Sequence, residues 1–213
     1  MLSFIVGVDE AGRGPVLGPL VVCCAVCKRE DEKLLRKLAS KDSKQLSPSQ
    51  REEIYEKLKQ FCTFRWVEIS AADLNKLMKT MSLNDIEAKF MADLVKKIDD
   101  GDIMIDMPDR YGWTFRRRME KFCVKRFEAE HKADEKYPIV AAASICAKIV
   151  RDRKIDEIRQ ATCNFGSGYP GDPKTRAALK DKEKLVILKP FIRERWKTLE
   201  NLKQKKLFEE EGG

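Results

Sequence analysis

A chain of 213 residues, 43% hydrophobic and 37% charged, can bury one sizeable core beneath a strongly ionic surface. Its formal charge of +8 comes from 43 basic and 35 acidic residues. That excess attracts polyanions, nucleic acid foremost, but is too mixed for a basic tail-like protein. No apolar run nears the roughly 20 residues of a membrane span, and no basic-then-apolar leader opens the sequence, which reads as cytoplasmic. Seven cysteines are present. Cys24 and Cys27 form a CxxC with no second ligand pair, so they read with Cys23 as small buried hydrophobes rather than as a metal or redox site.

In chain order, residues 4–8 and 19–27 predict two strands joined by a turn rich in glycine and proline. The charged segment 30–39 predicts a helix. KDSKQLSPSQ, residues 41–50, reads as a loop, with Ser47 as N-cap and Pro48 opening a helix that runs to about Phe61. TFRWVEI, residues 63–69, predicts a strand. Ser70 and Ser82 suit the caps of two further helices, Ser82 and Asp85 at capping-box spacing. Ile86, Phe90, Leu94 and Ile98 recur at helical spacing and predict a core-facing stripe.

A strand follows at 103–106, then a very basic helix from Thr114 to Phe122 and a strand from Lys125 to Glu130. Ile139 to about Ala161 is the strongest helix, opening on the small residues of AAASICAK. SGYPGDPKT, residues 167–175, is a loop. Two helices are expected to close the chain, the last from about Phe191 to Phe208, and the tail EEEGG to fray. Strands alternating with helices, after an early hairpin, predict a mixed sheet with helices packed on it.

The chemistry-bearing residues are acidic. Asp9 and Glu10 follow the apolar Ile5-Val6-Gly7-Val8. Alternation along a strand puts at least one of them over the sheet, a costly place for an anion without a cation beside it. Ile103-Met104-Ile105-Asp106 repeats the pattern, and Asp134 stands before the longest helix. Oxygen ligands gathered from several strand ends suit a hard divalent cation. The other nucleophile systems are missing: His131 is the single histidine, and neither GxSxG nor a phosphate-cradling GKS/T occurs. The runs Arg116-Arg117-Arg118 with Lys121, and Arg193 to Lys197, read as solvated helix faces or as tracks for a duplex backbone.

VDEAGRGPVLGPLVV resembles the signature of the type 2 ribonuclease H family, ribonuclease HII. Further matches follow in family order. KDSKQL resembles its DSK-x-L loop. HKADEKYPIVAAASICAK resembles the segment spanning its fourth acidic residue and the next helix, and GSGYPGDPKT resembles its SGYPGD loop. The HKAD and YP wording is similar to the archaeal branch. The resemblance extends from residue 4 to about 176.

The resemblance implies an α/β, RNase H-like fold: a mixed five-stranded central sheet flanked by helices, with a helical C-terminal portion. It divides the chain into a catalytic domain, 1–176, and a helical extension packed on it, 177–213. It implies endonucleolytic hydrolysis of RNA in RNA/DNA hybrids and cutting at ribonucleotides embedded in duplex DNA. Two Mg²⁺ or Mn²⁺ ions would assist, leaving 3′-hydroxyl and 5′-phosphate ends, in ribonucleotide excision during DNA replication and repair. Carried over by motif, the metal-binding catalytic quartet is Asp9, Glu10, Asp106 and Asp134. Asp106 is chosen because it ends its strand directly. Asp109, after Pro108, is the alternative, and Asp102 precedes the strand.

By the same resemblance, Gly12, Arg13 and Gly14 read the 2′-hydroxyl that separates RNA from DNA. Tyr169 packs on the sugar at the junction, and Lys44, Ser144 and Lys148 contact phosphate. Ser144 and Lys148, four residues apart, share a helix face. The implied state is a monomer. The ending LKQKKLFEEEGG fits half of a sliding-clamp box: Gln204 and Leu207 match, but Glu210 and Glu211 stand where aromatics are needed, so clamp binding is weakly supported. Rival readings are another two-metal nuclease of the superfamily and a non-catalytic hybrid-binding module. GRG one residue after DE argues against the first, and the complete acidic set against the second.

Overall fold

The computed structural model describes residues 3–39 and 46–196. They form two compact units. The first comprises residues up to Ala11, Val21–Glu68 and Met81–Arg151; the second comprises Gly12–Leu20, Ile69–Thr80 and the chain from Asp152 on.

The first unit is built on five strands. β1 (Phe4–Ala11) pairs antiparallel with β2 (Leu20–Lys28), and β3 (Cys62–Ile69) borders β2. β4 (Asp102–Asp106) and β5 (Glu128–Glu130) extend the sheet on the other side in the order β3-β2-β1-β4-β5. β1, β4 and β5 run parallel, so their carboxyl ends share one edge. The sheet is therefore mixed, as strands alternating with helices predict. The helices of this unit are α1 (Glu32–Leu38), α2 (Pro48–Leu58), α4 (Leu83–Val95), α5 (Gly112–Glu120), the single turn α6 (Ala133–Lys136) and most of α7 (Pro138–Ala161). α3 (Ala71–Leu77) belongs to the second unit.

Local chemistry sets the helix starts. Ser47 makes a complete capping box with Gln50 ahead of Pro48, and Ser70 and Ser82 each accept from the backbone N–H three residues on. Ile86, Leu94 and Ile98 of the expected stripe are buried, while Phe90 is only half-buried. Small residues decide how α7 packs. Ala141, Ala142, Ala143 and Ala147 are buried in the core shared with Val21, Cys23 and Ala25 of β2. Gly7 of β1 is needed there, because a Cβ would lie 2.2 Å from the Ile139 carbonyl oxygen. Six of the seven cysteines are buried and all are free thiols; Cys23, Cys24 and Cys27 are among the buried ones, matching their reading as small hydrophobes.

Several boundaries differ from expectation, three of them for a visible reason. β1 continues through Asp9 and Glu10, because the ladder with β2 runs on to Glu10↔Val22 and Ala11↔Val21. β5 starts at Glu128 rather than Lys125, since its pairing with β4 begins at Met104↔Glu128. No helix opens at Phe191. Helices α8 (Pro173–Lys180) and α9 (Lys182–Leu188) are followed by a 3₁₀ turn at Lys189–Phe191 containing Pro190. The chain then extends so that Ile192 bridges Leu17 and the Arg193 N–H donates to the Val16 carbonyl at 2.9 Å.

The second unit has its own core of Val16, Leu17, Ile155, Ile158, Phe165, Leu179, Leu188 and Ile192. No helix among the described residues is long and apolar enough to cross a membrane.

Candidate functional site

Parallel register brings the first carboxylates together. Val8 pairs with Ile105, and one residue further along each strand stand Asp9 and Asp106. Asp9, Glu10 and Asp106 each offer an oxygen, and these oxygens lie within 4.8 Å of one another. Asp9 is 4% exposed, while Glu10 and Asp106 are half-buried. Burial pushes the Asp9 carboxyl well above its ordinary range, and the charges of Glu10 and Asp106 push it further; a hydrogen bond from Ser144 and the charge of Lys148 oppose the rise. The Glu10 backbone N–H also donates to Asp9 Oδ1 at 2.7 Å.

Both supporting side chains come from α7. Ser144 is fully buried, and the Lys148 ammonium donates to its Oγ at 2.8 Å. The two stand one turn apart on the helix that Gly7 admits against β1, so a cation reaches Asp9 through a hydroxyl. Asp106 is oriented from the other side by the Ala133 N–H, which donates to its Oδ1 at 2.7 Å. Ala133 opens α6 after Lys132, whose φ of 55° turns the chain sharply. Asp134, the next residue, is buried on that turn and is not one of the three clustered carboxylates.

The other acids near β4 are engaged elsewhere. Asp109 is buried, accepts from Asn84 Nδ2 at 2.7 Å and pairs with Arg118. Asp102 pairs with Arg29 at the opposite end of the strand. The three arginines of α5 have separate fates. Arg118 joins α5 to α4 through Asp85 at 2.7 Å; Arg116 lies over the Phe127 ring and donates to its carbonyl; Arg117 is exposed.

The glycine bend and the SGYPGD loop belong to the second unit. Gly12 has φ +90°, a left-handed value that favours glycine. Gly14 is exposed, and a Cβ there would meet the Tyr169 ring at 3.5 Å. Val16 donates to the Gly168 carbonyl at 2.8 Å, while Asp172 accepts from both the N–H and the hydroxyl of Ser167. Tyr169 is thus held 41% exposed.

Sequence reasoning missed a residue behind this bend. Arg193, taken as surface charge, is fully buried and donates to the carbonyls of Gly12 at 2.7 Å and Gly18 at 2.8 Å. Trp196 donates from Nε1 to the Gly14 carbonyl at 3.2 Å. No local pattern marks Arg193, because its partners are remote in sequence. Lys44 lies outside the described residues, as do Gln204, Leu207, Glu210 and Glu211.

The profile of the family described as Ribonuclease HII matches residues 6–199. The chain belongs to the ribonuclease HII family. It is 42% identical over 201 residues to the ribonuclease HII of Archaeoglobus fulgidus, covering 94% of this chain and 97% of that one. Among solved structures, a PCNA:RNase HII complex from Archaeoglobus fulgidus contains a chain 40% identical to this one, with a TM-score of 0.84 and coverage of 91% and 95%. Ribonuclease H2 from Pyrococcus horikoshii is 37% identical with a TM-score of 0.82, covering 95% and 98%. The archaeal resemblance and the RNase H-like fold are therefore established. As a ribonuclease HII, the protein is a nuclease of the hydrolase class, an endoribonuclease of RNA/DNA hybrids.

Proposed function

We propose that this ribonuclease HII cuts both the RNA strand of hybrids and single ribonucleotides embedded in duplex DNA, by hydrolysis assisted by divalent cations. The observation carrying this reading is the clustering of Asp9, Glu10 and Asp106 with their oxygens within 4.8 Å. The donor set fits Mg²⁺ or Mn²⁺: all ligands are carboxylate oxygens, and one of them, buried between two like charges, is uncomfortable without a cation. Asp9, Glu10, Asp106 and Asp134 would hold the ions. Bound as a pair, such ions make water a stronger nucleophile and offset charge on the departing 3′-oxygen. The chain's own part is to orient. Ser144 and the Ala133 N–H fix Asp9 and Asp106, and Lys148 balances part of the charge of Asp9.

Substrate reading is assigned to Gly12, Arg13, Gly14 and Tyr169. The exposed Gly14 leaves room for a close approach, and the exposed Tyr169 ring can cover a sugar. Lys44, Ser144 and Lys148 are assigned to phosphate contacts. The products carry 3′-hydroxyl and 5′-phosphate ends. The protein acts as a cytoplasmic monomer in ribonucleotide excision, with residues 1–176 as catalytic portion and 177–213 as extension. A sliding clamp is a partner supported by the PCNA:RNase HII complex of the relative, though only half of a clamp box stands at Gln204 and Leu207.

The test is a DNA duplex with one ribonucleotide, incubated with Mg²⁺, with Mn²⁺ and with chelator. Cleavage at the ribonucleotide only when a cation is present, with a 5′-phosphate on the product, supports the reading. Cleavage surviving chelation would end it.

A further inference from the structure

We infer that Tyr111 and Trp113 form a stacking platform for an unpaired nucleotide adjoining the hybrid, a subsite additional to the cleavage centre. This rests on the hybrid-cleaving reading above.

The segment between β4 and α5 begins directly after Asp106 and is tied down at two points. The Met107 N–H donates to the Glu130 carbonyl at 2.9 Å, and His131 Nε2 lies 3.1 Å from the Arg110 carbonyl, to which it donates when protonated there. The single histidine thus braces this segment. What the segment displays is unusual for a surface. Tyr111 is 52% exposed and Trp113 68%. Their rings are nearly parallel, at 18° and 6.4 Å between centroids, and the Arg110 guanidinium sits 5.4 Å from the Tyr111 centroid. Neither ring serves the core, since the buried residues of α5 are Phe115 and Met119.

Charge selects the occupant. Arg110 and Arg117 are exposed and neither forms an ion pair among the described residues, whereas Arg118 is bound to Asp85 and Asp109. Arg117 stands four residues after Trp113, on the same helix face. Exposed aromatic surface beside two guanidinium groups that form no ion pair among the described residues suits a polyanion that also carries flat apolar surfaces. A duplex buries its base faces against each other and would satisfy only the arginines. An unstacked base satisfies both. The occupant is therefore a single-stranded extension of the substrate.

Binding is measured by fluorescence anisotropy in an Asp9→Asn background, comparing a blunt hybrid with the same hybrid carrying a single-stranded DNA extension. The extension is expected to tighten binding about tenfold, the scale of stacking on an aromatic side chain. Trp113→Ala should remove that gain and Trp113→Phe should keep most of it. Tyr111→Ala reports on the same platform should Trp113→Ala fail to fold. No gain from the extension, or a gain undiminished in both alanine variants, overturns the inference. Failure of the unsubstituted protein to cut the blunt hybrid with Mg²⁺ would instead remove the reading beneath it.

Discussion

The buried guanidinium of Arg193 donates to the Gly12 carbonyl at 2.7 Å, and its Nε donates to Gly18 at 2.8 Å. One side chain therefore fastens both ends of the loop carrying Gly12-Arg13-Gly14. Arg193→Met keeps the apolar stem and leaves both carbonyls without their donor. A loss of about 3 kcal/mol is expected, seen as a lower urea midpoint at unchanged slope. On a single-ribonucleotide duplex, KM should rise more than kcat falls, because the bend binds rather than reacts. An unmoved midpoint would show the clamp to be without weight.

Asp9→Asn is expected to abolish turnover, at least a thousandfold by the scale of lost charge stabilisation, while leaving hybrid binding largely intact. Without divalent cation the variant should be the more stable protein. The folded-state pKa of Asp9 is raised, so its ionised form opposes folding at neutral pH, and the amide removes that charge. Single-turnover cleavage, fluorescence anisotropy with a labelled hybrid and a thermal melt in chelator check the three parts.

Gly7→Ala tests how α7 is seated. Its Cβ would lie 2.2 Å from the Ile139 carbonyl oxygen and 2.6 Å from the Val140 nitrogen. Both are backbone atoms, so the helix must move off the strand. A destabilisation of about 3 kcal/mol is expected, together with a fall in kcat because Ser144 and Lys148 ride on the same helix. A variant with parental midpoint would contradict this packing.

Asp85 gives a prediction for acid. Burial raises its carboxyl, but the Ser82 hydroxyl, Arg118 and Lys121 lower it further, to about 2 from the ordinary 3.8. A group depressed in the folded state stabilises fully above its unfolded pKa and ceases to do so as pH falls through its folded one. The Asp85 contribution is therefore complete above about pH 4 and lost on the way down to about pH 2. Asp85→Asn should cost on the order of 1 kcal/mol at pH 7 and flatten this part of the stability profile. Urea melts at successive pH values from 7 to 2 read it directly.

Much of the frame was legible locally. The caps at Ser47, Ser70 and Ser82, the alternating strands and the small-residue opening of α7 act over a few residues, within the range of one turn or one strand. The ordered motifs also pointed to the family. Two matters were not legible. Asp106 ends an apolar strand and Asp109 follows three residues on; the strand end favours Asp106, but nothing adjacent settles the choice. The fold does, by bringing Asn84 and Arg118 to Asp109 and the Ala133 N–H to Asp106.

Arg193 makes the same point more sharply, reading as surface charge and ending fully buried. The sequence by itself determined which chemical groups this protein owns and which short segments carry them. Tertiary structure alone decided which buried charges meet a partner. Burying a charge depends on groups that satisfy it, and those groups arrive from remote parts of the chain only once the sheet and helices have closed.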